Sequence, residues 1–477
     1  MKIRQFCSWL FFGGILLLQG CSSYQTEPYA CADSLAALDR LLEKHVGTLH
    51  ATRIKGHPAL RSQRFTYSFI EQADPSIEPA TIVSAMQQSA QLGLRLEWQN
   101  LNPTLQQQWL ARYQQDDFAD FANNCLSKAK LHYSQASASS TAALLAQLTA
   151  EDDYSTAAKI FGLYPLSSQL FARAVVDEQD HLKQTWLAAS QQPYSGFAPQ
   201  QARLLVPEEL GLPLSDPLLL DSLGRITDAA QVERLLRWHA PQWLVEQADQ
   251  NNLPGKPLWQ QQHLAVDLSE ALSYSKISYG RFKQQTTIQL NYILWFKQRP
   301  KLNNLDWVAG QHDALVFRIH LSPELNIIAY DSIHLCGCWY TLMLPSQQSY
   351  IAAEQVGQEP VLMHRVKAAR NMRVSVSADT HQIVGLSPAS LSDALFQQRY
   401  QLLPWQSLLS LPRGEGQSSV FDNNGYVFGS QRLERWFFWP MGVKQPGSLR
   451  RFGDHAISFI GERYFDQADL LQALGVQ

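Results

Sequence analysis

The stretch Thr286-Thr287-Ile288-Gln289-Leu290-Asn291-Tyr292-Ile293-Leu294-Trp295-Phe296 decides the fold class of this chain. It is rich in β-branched and aromatic residues, which pack well on a pleated surface, so it predicts a β-strand. Similar short segments, separated mostly by turn residues, are Leu315–Leu321, Asn326–Asp331, Arg373–Ser377, Gln382–Gly385 and Ala456–Tyr464. Because few helical patterns lie between them, these strands favour an antiparallel sheet over βαβ units.

The first half of the chain has a helical pattern instead. Apolar residues recur at helical spacing after Ser34, and Pro79 and Pro103 stand where a first-turn proline belongs. The sequence therefore predicts an α+β protein. Its mainly helical N-terminal half covers residues 34–250, and its antiparallel β-rich C-terminal half covers residues 251–477.

The segment His334-Leu335-Cys336-Gly337-Cys338 carries the most chemistry. Alternate side chains of an extended strand share a face, so His334, Cys336 and Cys338 would point the same way. Two thiolates and an imidazole are typical ligands of zinc, with copper next. A zinc site, structural or hydrolytic, is the first interpretation. A disulfide between the two cysteines, inert thiols and a nucleophile are the alternatives.

A predicted hairpin supplies partners for His334. If its strands pair from Leu321 and Asn326, the register places Asp313 opposite His334, with His312 one residue further along. Either His312 or Asp313 would then serve as a fourth metal ligand, or would orient His334 by a hydrogen bond without binding the metal.

Cys336-Gly337-Cys338-Trp339 resembles the Cys-Gly-x-Cys-Trp motif around the nucleophile of papain-like hydrolases. Far downstream, His455 precedes an apolar segment, as the base does in that family. The resemblance implies a cysteine hydrolase in which Cys338 attacks and His455 activates it. The motif is one residue shorter than in the family, and a buried, hydrogen-bonded His455 is the alternative interpretation.

The first 21 residues resemble a bacterial lipoprotein signal peptide with its lipobox. Lys2 and Arg4 precede the uncharged run Phe6–Leu18, and Gly20 precedes Cys21. A helix that spans a bilayer needs about 20 apolar residues, so this shorter run is typical of a cleaved signal. The mature body resembles no characterised family.

The lipobox resemblance implies where the protein is held. Residues 1–20 would be removed as the signal peptide, Cys21 would be acylated, with palmitate among its chains, and residues 21–33 would form a short tether to the lipid bilayer. Ser22, rather than Asp, after the cysteine implies the bacterial outer membrane, with the body facing the periplasm. In this oxidising compartment we expect a disulfide between Cys31 and Cys125, which both lie in the helical half.

The composition narrows the possible partners. The formal net charge is −3 and no basic stripe is visible, so a nucleic-acid partner is not expected. The 13 Trp and 21 Phe build a dense core or line a groove for a sugar or peptide. For the aromatic segment 436–441, core packing is the favoured interpretation. A non-catalytic envelope protein that binds a protein partner or a glycan is the alternative function. The sequence leaves enzymatic activity and oligomeric state open.

Overall fold

The structure is a computed structural model that describes residues 29–72, 74–148, 150–190, 202–209, 211–247, 249–351, 357–389 and 397–477. The predicted signal peptide, Cys21 and most of the predicted tether lie outside these residues. No helix within the described ranges is long and apolar enough to cross a membrane.

Helices occupy mostly the N-terminal half. The eleven helices of the described residues are α1 (Ala32–His45), α2 (Arg64–Glu71), α3 (Pro79–Asn100), α4 (Pro103–Tyr113), α5 (Phe118–Gln135), α6 (Ala138–Leu145), α7 (Thr156–Phe161), α8 (Tyr164–Ser190), α9 (Ala229–Trp238), α10 (Arg435–Phe438) and α11 (Leu470–Ala473). As predicted, Pro79 and Pro103 are the first residues of α3 and α4, where the missing N–H of proline costs no hydrogen bond.

Most strands lie in the second half. The strands of the described residues are β1 (Thr52–Arg53), β2 (Arg61–Ser62), β3 (Ala202–Pro207), β4 (Gln242–Glu246), β5 (Lys256–Gln260), β6 (His263–Asp267), β7 (Leu272–Phe282), β8 (Gln285–Arg299), β9 (Gly310–Leu321), β10 (Ile327–His334), β11 (Thr341–Pro345), β12 (Leu362–Val366), β13 (Met372–Val376), β14 (Ile383–Pro388), β15 (Gln397–Pro404), β16 (Leu411–Arg413) and β17 (Gly416–Ser418). Among the described residues, three separate two-stranded pairs are β1–β2, β5–β6 and β16–β17.

The described residues form one 11-stranded sheet with the order β12-β11-β10-β9-β8-β7-β15-β3-β4-β13-β14. Its centre, from β7 to β11, is antiparallel, whereas β11–β12, β7–β15, β15–β3 and β4–β13 are parallel pairs. The predicted α+β class is confirmed, with a mixed sheet rich in antiparallel pairs. Two of its strands, β3 and β4, come from before residue 250.

The strand β8 contains the stretch that predicted the fold class and is buried on both faces. Ile293 and Trp295 belong to a core cluster that includes α1, α3 and α5, while Leu294 and Phe296 belong to a second cluster that includes α9. The side chains of a strand alternate between its two faces. The sheet is therefore covered by helices on both sides.

The cysteines of the helical half are bonded. Cys31, just before α1, and Cys125 of α5 form a disulfide, with their Cα atoms 5.8 Å apart. This is the pairing that the sequence favoured.

Two predictions of local structure were wrong. The segment Ala456–Tyr464 has a single isolated bridge between its end residues rather than a strand, because the N–H groups of Phe459 and Ile460 donate to the carboxylate of Glu359. In the aromatic segment 436–441, Met441 is buried, but Trp436, Phe437 and Trp439 are exposed rather than packed in the core.

Candidate functional site

The residues predicted at the hairpin form a buried charged cluster. Asp313 of β9 accepts a hydrogen bond from His381 Nδ1 at 2.9 Å and lies 3.4 Å from His334 Nδ1 of β10. Arg432 Nη2 donates to the same carboxylate at 3.0 Å. All four side chains are buried. The structure thus brings Asp313 and His334 together, as predicted, and adds His381 and Arg432.

The carboxylate of Asp313 is held in its charged form. Burial by itself raises the pKa of Asp313, but His334, Arg432 and the two histidine hydrogen bonds outweigh burial and place this pKa well below its usual range. Burial also lowers the pKa of His334. Because its partners surround it, Asp313 acts as the centre of an internal ion cluster and orients both imidazoles.

The predicted strand register is wrong by two residues at this end. The register places Leu315, not Asp313, opposite His334. One residue of the difference arises because Leu321 pairs with Ile327, and the other arises from a β-bulge after Ile327. Asp313 still reaches His334, since its side chain is a diagonal neighbour across the two strands.

Cys336 and Cys338 lie in a turn and not in a strand, which corrects the prediction that they alternate along one face. Gly337 has a φ of +93°, and the turn is closed by hydrogen bonds from Gly337 N to His334 O at 2.7 Å and from His334 N to Cys338 O at 3.0 Å. Within it, Cys338 N donates to Cys336 Sγ at 3.4 Å. Both thiols are free.

His312 points to a different neighbour. Trp295 Nε1 donates to His312 Nδ1 at 3.4 Å, and burial lowers the pKa of His312 to about 4. In the described part of the chain, no three His, Cys, Asp or Glu side chains are arranged to hold a metal ion. The geometry therefore gives the zinc prediction no support, and metal content has to be measured directly.

The proposed nucleophile and base have unfavourable protonation states for that chemistry. The hydrogen bond with Cys336, followed by burial, raises the pKa of Cys338 well above its usual value. Burial lowers the pKa of His455 to about 3. A thiol that resists ionisation and a histidine that is a weak base are the opposite of an activated pair. The cavity beside Cys338 is also small, about 40 Å³.

A much larger cavity, of about 320 Å³, lies between the helical layer and the sheet. The helical side contributes His50, Gln63 and Phe65, and the sheet contributes Lys276 and Ser278 of β7. The C-terminal segments complete it with Trp405, Arg451, Phe452, Asp454, Phe465 and Asp466. Its size is at the lower end of small-molecule sites.

Lys276 is the distinctive side chain of this cavity. Five lysine and arginine residues of the described chain border the cavity. The four arginines each have a carboxylate partner: Arg64 pairs with Asp466, Arg225 with Asp221, Arg318 with Asp331 and Arg451 with Asp454. None of the described carboxylates lies within ion-pair distance of Lys276, whose Nζ is 5.6 Å from the ring centroid of Phe452.

Burial governs the protonation of the cavity side chains. It lowers the pKa of Lys276 to about 8, and it raises the pKa of Asp466 to about 6 despite the opposing charge of Arg64. Burial, with the charge of Lys276 next, also lowers the pKa of His50 well below its usual value. The cavity thus combines a cation without a carboxylate partner among the described residues, arginines that are paired with carboxylates, and aromatic side chains.

Sequence reasoning missed this cavity because its walls come from distant parts of the chain. The available signal was weak: Lys276 alternates with Tyr274 and Ser278 along a strand-like run, so that it lies on an inward face.

No protein-family model matches the chain, and no curated protein matches it. Parts of it are similar to two solved structures. One, described as "NLPPya in complex with mannosamine", is 18% identical over 38% of this chain and 75% of that chain, with a TM-score of 0.22. The other, "Toxin fold for microbial attack and plant defense", is 16% identical over 42% of this chain and 82% of that chain, also with a TM-score of 0.22. At this TM-score, neither similarity supports an inference about fold or function.

Proposed function

We propose that the chain is a lipid-anchored protein of the bacterial envelope that binds a small anionic ligand, such as an acidic sugar, between its helical layer and its sheet. The observation that carries the proposal is Lys276, a cation without a carboxylate partner among the described residues, which borders a cavity of about 320 Å³. Lys276 is half-buried at the cavity wall, and an anionic group of a ligand would supply its charge with a partner.

The other cavity walls fit the same kind of ligand. Trp405 and Phe452 offer aromatic faces, on which the apolar side of a ring can lie. Ser278 and Gln289, which are hydrogen-bonded to each other at 2.8 Å, retain capacity to bond hydroxyl groups. The hydrolase has less support, since the hydrogen bond with Cys336 and burial raise the pKa of Cys338, and burial lowers the pKa of His455.

Extraction and binding measurements test the ligand. The protein is purified from its own membrane and denatured, and the released small molecules are identified by mass spectrometry. Thermal midpoints are then compared in N-acetylmuramic acid and N-acetylglucosamine, two sugars that differ by a carboxylate-bearing group. We expect a stoichiometric anion in the extract, or stabilisation by the acid alone. An empty extract without any stabilisation would contradict the proposal.

Two variants locate the binding site. Lys276→Gln removes the cation and should abolish the stabilisation by the acid. Lys297→Gln, at an exposed position of β8, is the matched control and should leave it unchanged. Loss of binding in both variants would point to a surface effect and not to the cavity.

The anchor is tested separately. Cells that express the full chain are labelled with a palmitate analogue, and the membranes are separated by density. Label on the wild type and its loss in Cys21→Ser would support acylation. Recovery with the outer membrane would support the proposed location. Wild type without label would contradict the predicted acylation of Cys21, and it would leave the proposed ligand cavity unaffected.

The zinc site at His334, Cys336 and Cys338 and the hydrolase that uses Cys338 and His455 remain predictions with a common test. Bound zinc and free thiols are measured on one preparation. Stoichiometric zinc, with two thiols released by a chelator, would favour the metal. A reactive thiol whose reactivity is lost in His455→Ala would favour the hydrolase. A preparation that contains no bound metal and no free thiols would exclude both the zinc site and the hydrolase.

A further inference from the structure

Three segments place large apolar side chains on the protein surface. We call their exposed side chains the apolar face. They are Ile160, Phe161, Leu163, Leu166 and Leu170 from the region of α7 and α8; Leu302, Leu305 and Trp307 from the β8–β9 connection; and Leu433, Trp436, Phe437 and Trp439 around α10. Phe161 is 80% exposed and Leu305 is 84% exposed, which is unusual for side chains of this size.

The three segments are packed together. The rings of Trp307 and Phe437 are 4.3 Å apart edge to face, and Glu434 N donates to Trp307 O at 3.2 Å. Phe171 of α8 packs on Phe438 of α10 with ring centroids 5.4 Å apart. These contacts join α8, α10 and the β8–β9 connection, so the three segments that carry the exposed side chains are neighbours in the fold.

Basic side chains border part of this face. Arg173 and Lys301 are exposed, and Arg435 lies over the ring of Trp436 at 5.0 Å. Of two neighbouring carboxylates, Glu434 is buried, and Asp306 accepts backbone hydrogen bonds from its own loop. Between residues 160 and 176 the sequence has no Asp or Glu, and the exposed Asp177, Glu178 and Asp180 follow further along α8. The part of the rim that carries Arg173, Lys301 and Arg435 complements an anionic surface.

A bilayer matches this chemistry better than a protein does. Exposed Leu and Phe, flanked by Trp and by Lys or Arg, are typical of surfaces that lie in the headgroup region of a membrane. The predicted acylated Cys21 precedes Tyr29, the first described residue, by eight positions, which span at most about 30 Å when extended. The body of an anchored protein would thus always lie near lipid.

We propose that the apolar face contacts the bilayer, so that the protein is held to the membrane by its acylated N-terminus and by this surface together. The proposal rests on the lipid anchor described under the proposed function. The apolar face would add to the acyl chains a membrane signal that does not depend on their number. It also fixes which side of the protein faces the lipid.

Fluorescence quenching tests the contact. The full acylated chain is reconstituted in vesicles of phosphatidylethanolamine and phosphatidylglycerol whose acyl chains carry bromine, a contact quencher of tryptophan. We expect quenching of Trp307, Trp436 and Trp439, which are the tryptophans of the face. The triple variant Phe161→Ser, Leu166→Ser, Trp436→Ser should lose this quenching and still float with the vesicles.

A matched control uses exposed leucines elsewhere. Leu131→Ser together with Leu212→Ser changes side chains of comparable exposure outside the apolar face and should leave the quenching unchanged. Equal thermal midpoints of all variants show that the fold is intact. The mass of the N-terminal peptide reports acylation of Cys21 independently, so a missing anchor is distinguished from a face that stays in water.

Three results would overturn the proposal. The first is acylated wild type that floats with the vesicles but shows no bromine quenching. The second is quenching that survives in the triple variant. The third is an oligomer that the triple variant converts to a monomer while quenching is absent, since the face would then bind a second copy of the chain.

Discussion

Lys276 gives the most direct prediction at the scale of single residues. Its pKa is lowered to about 8 by burial, so the amine is partly neutral near pH 8, and only the neutral amine attacks an electrophile. We expect its labelling by trinitrobenzene sulfonate to reach half of its maximal rate near pH 8, measured by peptide mass spectrometry. Exposed Lys297 serves as the internal reference. Identical pH profiles for the two lysines would show that Lys276 is not desolvated.

His455 gives a pH-dependent stability. Its folded pKa is about 3, chiefly because of burial, while that of an unfolded histidine is about 6.5. Between these values the unfolded chain binds the proton and the folded chain does not. Stability from His455 is therefore complete above pH 6.5 and is lost as pH falls, by up to about 1.4 kcal/mol per pH unit.

The variant His455→Gln isolates this contribution from other titrating groups, such as Asp466, whose raised pKa acts in the opposite direction. In urea unfolding, the destabilisation caused by the variant should be smaller at pH 5 than at pH 7, by about 2 kcal/mol. Exposed His263→Gln should show no such difference. A His455→Gln effect that is equal at both pH values would contradict the assignment.

At the scale of elements, the turn between β10 and β11 depends on Gly337. Its φ of +93° is unfavourable for any side chain, and an added Cβ would lie 2.2 Å from Ala456 O. We expect Gly337→Ala to lower the free energy of unfolding by more than about 2 kcal/mol. Gly414→Ala is the control, because Gly414 has a φ of +58° but open space around it. Its cost should be about 1 kcal/mol, and equal costs would mean that the Ala456 contact is absent.

The disulfide between Cys31 and Cys125 ties α1 to α5. It closes a sequence separation of 94 residues, and cross-links of that length stabilise by about 2–5 kcal/mol. The double variant Cys31→Ser, Cys125→Ser should unfold at a lower urea concentration, and its free energy of unfolding should be lower by that amount. A reductant should destabilise the wild type similarly and leave the double variant unchanged. Wild type that is insensitive to reductant would argue against the bond.

Elements were easier to predict from the sequence than their pairing. The composition of residues 286–296 identified β8, and the prolines located the starts of α3 and α4. Neither the pairing of Leu321 with Ile327 nor the bulge after Ile327 leaves a signal in the composition, and each shifts the register by one residue from the predicted one. Gly337 was the visible sign of a turn, but the alternation of His334 with the two cysteines was interpreted as a strand.

The candidate sites were only partly predictable because they assemble from distant segments. Asp313 and His334 were found since a hairpin links them, whereas His381 and Arg432 join the same cluster from segments 68 and 119 residues away from Asp313. The interlayer cavity depends on helices that pack on β7, and no local pattern reports such a contact. Exposure of Trp436 was also hidden, because aromatic composition does not separate core from surface.

At the scale of the whole molecule, the helical layer and the sheet share one core. The first core cluster extends from Leu35 of α1 to Val476 near the C-terminus, and Phe65 of α2 lies against Tyr279 of β7 with ring centroids 5.6 Å apart. Since neither layer can expose that surface without cost, we expect them to unfold together. Circular dichroism, which reports the helices, and tryptophan fluorescence should give coincident transitions.

The variant Phe65→Ala tests this coupling, because it removes a side chain that packs between the layers. Truncation of a buried phenylalanine costs about 3–5 kcal/mol, and that loss should shift both signals by the same amount. Phe161→Ala, at an exposed position, should shift neither signal by more than about 0.5 kcal/mol. If Phe65→Ala instead separates the two transitions, the layers fold independently. The cavity between them would then open without global unfolding, and a bound ligand would stabilise the contact between the layers more than either layer alone.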